Sequence, residues 1–502
     1  MRLRVAFRHN NRVLGSAIAV AGLMGAGIPF VLGYLNPAAL VGLVTLIPAT
    51  LLFALVVRAG MARIRRLCSQ LRWWHISWLL LLLSSFVFRV RTFESATDMP
   101  VDFWAVYRAG LVGVVAFVLL ANEALKGVHW TPYLLRGLLG LIGAYTLVAI
   151  VSTTWSVYPS WTLYKSLEYF VDVGLLATIM ASIRSTKEFK VLLDWTWLLL
   201  GVTLCTVWIG ILIWPQAITT GTGTLGIQIQ GVFPAISSNG VGELAALLAV
   251  VAFARVMHSA QGRQWYVVLL LLALVTLVLA QSRSPLTAFL VAVPLVLSAG
   301  RKIAGMAVVA LLLLVILPLT SLPSLFWHYF LRNQSMDLFR SLSGRTEWWE
   351  LALATFRTQP ITGLGAYAGS QFGVMAAFTS DMSSVHSTWI ELLVDTGVLG
   401  LVPIALAVLG AWMHALGALR HVSVGGLEHR LLVEVIGVLA VLSVRSVFTS
   451  VLIWHPSLQY LAAIAYIDFL RRQLRLNRKS RDPLLPQDGF AAKAYPKQGE
   501  SM

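Results

Sequence analysis

Long apolar runs, separated by short polar stretches rich in arginine, follow one another along most of the chain. The runs Leu14–Tyr34, Ala38–Val57, Val267–Ala280 and Ile303–Leu319 carry almost no charge, and several reach the roughly 20 residues that a helix needs to cross a bilayer. Segments of about ten residues alternating apolar and polar, the mark of a membrane β-barrel, are absent, so the backbone is satisfied within helices. The fold class is all-α, a polytopic bundle of about 12–14 transmembrane helices. Candidate spans are Leu14–Tyr34, Ala38–Val57, Trp73–Phe88, Trp104–Ala121, Leu134–Val151, Leu167–Ala181, Trp195–Trp214, Gly240–Met257, Trp265–Ala280, Leu286–Ala299, Ile303–Thr320, Thr388–His414, Leu431–Ile453 and Leu458–Leu470. The first follows Arg2, Arg4, Arg8 and Arg12 but exceeds the roughly 7–15 apolar residues of a signal peptide, and a second span follows at once. It reads as a retained helix.

The pattern divides the chain into residues 1–320, the first part of the bundle; 321–387, a long outer loop; 388–470, the last part of the bundle; and 471–502, a basic cytoplasmic tail of disordered composition. A loop as long as Ser321–Ser387 exceeds the roughly 12–15 residues of a simple connector. Within it, Arg345 to Thr358 places Trp348, Leu351, Ala352 and Phe356 on one stripe at helical spacing, and Pro360 ends the pattern. The spacing predicts an amphipathic helix lying at the membrane surface or over a cavity.

Composition agrees with lipid as the main solvent: 58% of residues are hydrophobic and 12% charged, against about 25% charged in a soluble domain. The net charge of +17 does not call for nucleic acid. With the amino terminus in the cytoplasm, Arg58, Arg63, Arg65, Arg66 and Arg72, then Arg184, Lys187 and Lys190, then Arg301 and Lys302, and the tail arginines all fall inside. These groups set topology and meet anionic headgroups of the surrounding membrane lipids. Cys68 and Cys205 lie in different environments and predict neither a disulfide nor a metal site.

Informative charges are those on the outer side, which the positive-inside rule leaves unexplained. Arg283 lies between two spans in AQSRSP, Arg345 heads the loop helix, and His386 precedes a span in SSVHSTWIELLVDTG. Arg445 and Glu243 come next, with Glu168 and Asp172 as further acidic positions that could serve as counter-ions to these arginines. Guanidinium groups suit bidentate recognition of a diphosphate, and an imidazole can take a proton from an acceptor hydroxyl. Should His386 not do so, Glu391 or Asp395 on the following helix are the alternatives. There is no HExxH, DxD, GxSxG or nucleotide-binding loop, so the reading calls for no metal and no cofactor.

The string SSVHSTWIELLVDTGVLGLV resembles the histidine motif that ends the long periplasmic loop of the O-antigen ligase and polymerase family of bacterial membrane glycosyltransferases. SGRTEWWELALATFRTQPITGLG resembles that family's arginine, helix and glycine segment. Weaker echoes occur in order at VSTTWSVYPSWTLYKSLEYF, SSNGVGELAALL and AQSRSP, so the resemblance covers roughly Val151 to Leu401. Many members carry asparagine directly after the histidine, where this chain has Ser387. The resemblance implies a multi-pass protein of the bacterial inner membrane whose loop and active site face the periplasm. It implies transfer of a preassembled glycan from undecaprenyl diphosphate to a glycan or lipid A-core hydroxyl, with Arg283 and Arg345 holding the diphosphate and His386 acting on the acceptor. The rival from another class is a transporter or flippase for the same lipid-linked oligosaccharide. It would place charges near the midplane and show repeat symmetry.

Overall fold

The computed structural model describes residues 67–481 apart from 86–91, 99–101, 128, 221–224, 226, 233, 259–261, 303–330, 332–334, 337–340, 342–343, 380–383 and 456. Three of the expected spans, Leu14–Tyr34, Ala38–Val57 and Ile303–Thr320, lie outside the described residues, as does the chain beyond Arg481.

The long helices are α1 (Trp73–Leu83), α2 (Phe103–Lys126), α3 (Gly137–Val151), α4 (Pro159–Ser182), α5 (Thr186–Ile213), α6 (Ser238–His258), α7 (Arg263–Leu279), α8 (Arg283–Ala299), α9 (Arg345–Thr358), α10 (Thr388–Ala418), α11 (Leu427–Phe448) and α12 (Leu458–Arg481). Among the described residues, six are long and apolar enough to cross a membrane: α2, α3 with the turn after it, α5, α6, α10 and α11. The protein is an all-α multi-pass membrane protein; the strands described are the two-residue pair Thr219–Thr220 and Gln228–Ile229, antiparallel to one another.

Local chemistry sets the helix ends. Asp102 accepts from the Ala105 N–H at 2.7 Å and caps α2, which stops at Gly127 in the left-handed region. Pro159 opens α4, where its missing N–H costs nothing. The expected span Leu134–Val151 is interrupted at Leu135 and Arg136, so that only Gly137–Val151 forms the long helix. The last helix runs past Leu470 to Arg481, so the tail expected to be disordered from residue 471 begins as helix.

Small residues set the helix spacing. Gly400, Ala407, Ala411, Ala415 and Ala418 form the buried stripe of α10, which packs on α3. Gly437 of α11 lies where a Cβ would come within 2.8 Å of both Val250 on α6 and Val296 on α8. Without an apolar driving force between helices in lipid, such close approach supplies the dispersion contacts that hold the bundle.

Buried ion pairs tie the ends. Opposite to the His386 end, Arg255 of α6 bridges Asp194 of α5 at 2.7 Å and Glu434 of α11 at 2.6 Å. At the His386 end, Arg108 of α2 holds Glu168 of α4 through two bonds of 2.6 and 2.8 Å, and Lys165 adds a third at 2.9 Å. Glu168 is thus a counter-ion, but to Arg108 and Lys165 and not to Arg283, Arg345 or Arg445. Asp172 pairs instead with His455, 2.7 Å from its Nδ1.

Candidate functional site

The loop helix α9 has the bounds that the sequence predicts, Arg345–Thr358. Its environment differs from the expected membrane surface. Ala352 is fully buried, and Trp348, Trp349, Leu351 and Phe356 pack with Val374, Met375, Val385 and Val394, so the apolar face is covered by the rest of the loop and the start of α10. Trp349 donates its indole N–H to the Val385 carbonyl at 3.0 Å, which ties α9 to the residue before His386.

The segment after α9 is seated in a break in α10. That helix spans 31 residues, but Gly397 interrupts it with φ +59° and ψ −155°. About 20 residues suffice to cross the hydrocarbon, so the part after Gly397 makes the span and 388–396 stands at its mouth. The backbone groups freed by the break are taken up by the loop: Leu364 and Gly365 donate to the Val394 and Asp395 carbonyls at 2.9 and 2.8 Å, while Val398 and Leu399 donate to Pro360 and Ile361 at 3.0 and 3.2 Å. A Cβ on Gly397 would lie 2.4 Å from the Ile361 carbonyl oxygen, and one on Gly363 2.5 Å from the Asp395 carbonyl carbon. Asp395 completes the join by accepting from the Tyr367 and Ser370 N–H groups at 3.0 and 2.6 Å.

Residues from VSTTWSVYPSW form the other wall of this seat. Val157 N–H donates to Leu364 O at 2.9 Å, Trp155 Nε1 to Thr362 O at 3.2 Å, and Ser152 Oγ accepts from Ala366 N–H at 3.0 Å. The two remaining echoes also meet: Ser282 Oγ donates to Asn239 Oδ1 at 2.6 Å, and Gly242 faces Pro285.

These joins bring the expected groups together. Arg445, fully buried near the end of α11, donates to Glu243 of α6 at 2.7 and 3.2 Å and to Ser284 of α8 at 3.1 Å. Arg345 is not paired with Glu347 or Glu350; its Nη1 donates to the Phe448 carbonyl at 2.9 Å. Arg283, at the first position of α8, donates to the Leu331 carbonyl at 3.1 Å. Burial and then repulsion from Arg445 and Arg283 lower the Arg345 pKa to about 10, so it stays charged at neutral pH. Arg445 and Arg283 therefore both lie within electrostatic reach of Arg345, and Glu243 is bonded to Arg445.

His386 stands beside them. Its backbone has φ +59°, a region that histidine enters more readily than most side chains but still at a cost. Its ring lies 5.7 Å from that of Trp348, and Nδ1 is 3.3 Å from Ser384 Oγ. Burial, then the charges of Arg345 and Arg445, bring its pKa down from 6.5 to about 4, which leaves the imidazole neutral at physiological pH. Ser387 accepts from Ile390 N–H and caps α10. Serine and asparagine are equivalent in that role.

Glu391 is fully buried and accepts from Trp454 Nε1 at 2.9 Å and from Ser450. With Asp395 it positions the loop joins, since the oxygens of both are already bonded to protein donors. A constellation that sequence reasoning missed lies deeper: Asp172, His455 and Ser84, with Ser84 Oγ 2.5 Å from His455 Nε2. All three are buried, and the Ser84 hydroxyl donates to the Leu81 carbonyl at 2.6 Å, so the order of partners seen in hydrolases here fastens α1, α4 and the segment before α12. The signal in sequence was the i, i+4 spacing of Glu168 and Asp172; their partners could not be read from it.

Residues 268–405 match the O-antigen ligase family. The matched stretch contains Arg283, Arg345, His386, Glu391 and Asp395 but neither Glu243 nor Arg445, which the fold brings in from either side. No curated protein matches the chain.

Proposed function

We propose, with the O-antigen ligase match at residues 268–405 as premise, that this protein moves a preassembled glycan from undecaprenyl diphosphate to a hydroxyl of a glycan or lipid A-core acceptor in the periplasm. The observation that carries the reading is a gathering of guanidinium groups beside a neutral histidine: Arg345 and Arg445 act on His386, and Arg283 acts on Arg345. A diphosphate is the anion that such a group of guanidinium donors recognises. Arg283 and Arg345 hold its oxygens, and Arg445, fixed by Glu243 and Ser284, adds field from behind.

In the reaction, a ring nitrogen of His386 takes the proton of the acceptor hydroxyl. The acceptor oxygen then forms a bond to the anomeric carbon as the bond from that carbon to the diphosphate oxygen breaks. The electron pair departs with the diphosphate, whose growing charge the arginines stabilise, and the anomeric configuration inverts. The guanidinium groups do the work that a divalent cation does in other transferases, so the transfer is metal-independent.

Reconstituted transfer tests this. With His386→Ala, the rate falls by roughly 10²–10⁴-fold while donor binding stays near that of the unaltered protein, and chelators leave both unchanged. Normal transfer by the variant, or a joint loss of rate and donor binding, would reject the histidine as the proton acceptor.

A further inference from the structure

At the end of the bundle opposite His386, a cleft of about 280 Å³ opens between the end of α10 and the last part of α12. It is small against the roughly 300–1,000 Å³ of pockets that enclose whole ligands. His414 and His421 line it from the α10 side, and Arg471 and Arg475 from α12. None of the described lining residues is acidic. The nearest carboxylate on α12, Asp468, already accepts from the Leu138 and Leu139 N–H groups at 3.1 and 3.4 Å and lies 3.7 Å from Arg472.

Arg471 and Arg475 are one helical turn apart, a spacing at which like charges destabilise a helix. Arg472, which points elsewhere, has its guanidinium 4.4 Å from the Tyr133 ring. The two cleft arginines thus share a space whose described walls carry no carboxylate, although the charge of Asp468, already bonded to α3, reaches Arg471 and His414.

Met413 and Leu474 supply apolar walls to the same cleft. Met413 also belongs to an exposed apolar stripe on α10 with Val402, Leu406, Leu409 and Leu416, which faces lipid in a membrane. A stripe for acyl chains therefore runs into a cationic cleft of a size to take a headgroup. We propose that the cleft binds the phosphodiester headgroup of an anionic membrane phospholipid, with the acyl chains lying along the α10 stripe.

The assay is native mass spectrometry of the delipidated full-length protein, titrated separately with dioleoyl phosphatidylglycerol and dioleoyl phosphatidylcholine. The expected result is a phosphatidylglycerol affinity at least tenfold above that for phosphatidylcholine. Each basic residue near an anionic lipid contributes about fivefold, so Arg471→Gln with Arg475→Gln weakens phosphatidylglycerol binding roughly 25-fold. A second variant leaves the charges in place: a Cβ at Gly417 meets nothing within 4 Å, so Gly417→Leu fills the cleft without disturbing the core and is expected to lower the same affinity. Equal binding of the two lipids by the unaltered protein overturns the proposal, as does retention of phosphatidylglycerol by either variant. Displacement of the lipid by millimolar inorganic phosphate also overturns it, in favour of a soluble-anion site.

Discussion

The sharpest quantitative expectation concerns the pH at which His386 takes a proton. Its pKa near 4 in place of 6.5 corresponds to about 3 kcal/mol by which the site disfavours imidazolium, first through burial and then through Arg345 and Arg445. In the proposed reaction the neutral ring is the active form, so activity should be lost as pH falls through the site's own value. At pH 5.5 an ordinary histidine would be about one-tenth neutral, whereas this one is roughly 97% neutral. Transfer per free enzyme, kcat/KM, should therefore stay flat from pH 8 to 5 and fall only near 4. A bound diphosphate offsets the two arginines and makes His386 more basic, so the acid limb of kcat should lie at higher pH than that of kcat/KM. Carbethoxylation by diethyl pyrocarbonate, read peptide by peptide, isolates His386 among the ten histidines. Its reactivity should show a midpoint near 4 in the empty protein, rise in pH with farnesyl diphosphate bound, and rise in part in Arg345→Gln. A midpoint between 6 and 7 in the empty protein, or one indifferent to the diphosphate, would refute the electrostatic account.

Arg283→Lys and Arg345→Lys keep the charge but lose the planar fork, so each should lower transfer by tenfold or more with membrane insertion intact, the Arg345 variant somewhat less; activity equal to the unaltered protein would assign these groups to headgroup contacts. Gly397→Ala places a methyl 2.4 Å from Ile361 O at a positive φ, and should cost roughly 1–3 kcal/mol together with most of the activity; an unchanged melting temperature and rate would show that the break relaxes freely. Reporter fusions should place residues 345–386 on the side opposite the Arg58–Arg72 loop and the carboxyl terminus; a cytoplasmic signal from 345–386 would end the periplasmic reading.

Hydropathy made the bundle legible because lipid penalises each unsatisfied backbone group and each stray charge, so spans end where arginines begin. The bounds of α9 were legible because Arg345 and Pro360 flank an amphipathic stripe with no competing pattern. Arg283, Arg345, His386, Arg445 and Glu243 were separable as candidates because the positive-inside rule leaves them unexplained, and a charge in an apolar chain needs a reason. What lay beyond sequence was pairing. Glu168 and Asp172 look alike on one helix face, yet one meets Arg108 and Lys165 and the other His455, and no local pattern distinguishes them. The break at Gly397 was invisible for a different reason: a hydropathy window averages over one glycine, and the backbone partners that stabilise the break come from residues 360–365, more than thirty positions upstream.

The way those partners bind has a bearing on how the protein can change over generations. The four bonds that close the break run between main-chain atoms, and the Asp395 carboxylate adds two more to the same join. On the proposed function, a substitution among side chains that meet the glycan would leave these bonds, and with them the placing of His386 at the head of α10, as they are. Specificity and geometry would then be inherited separately: the first is free to drift with the substrate, while the second is held by main-chain atoms and by Gly363 and Gly397, which let them approach.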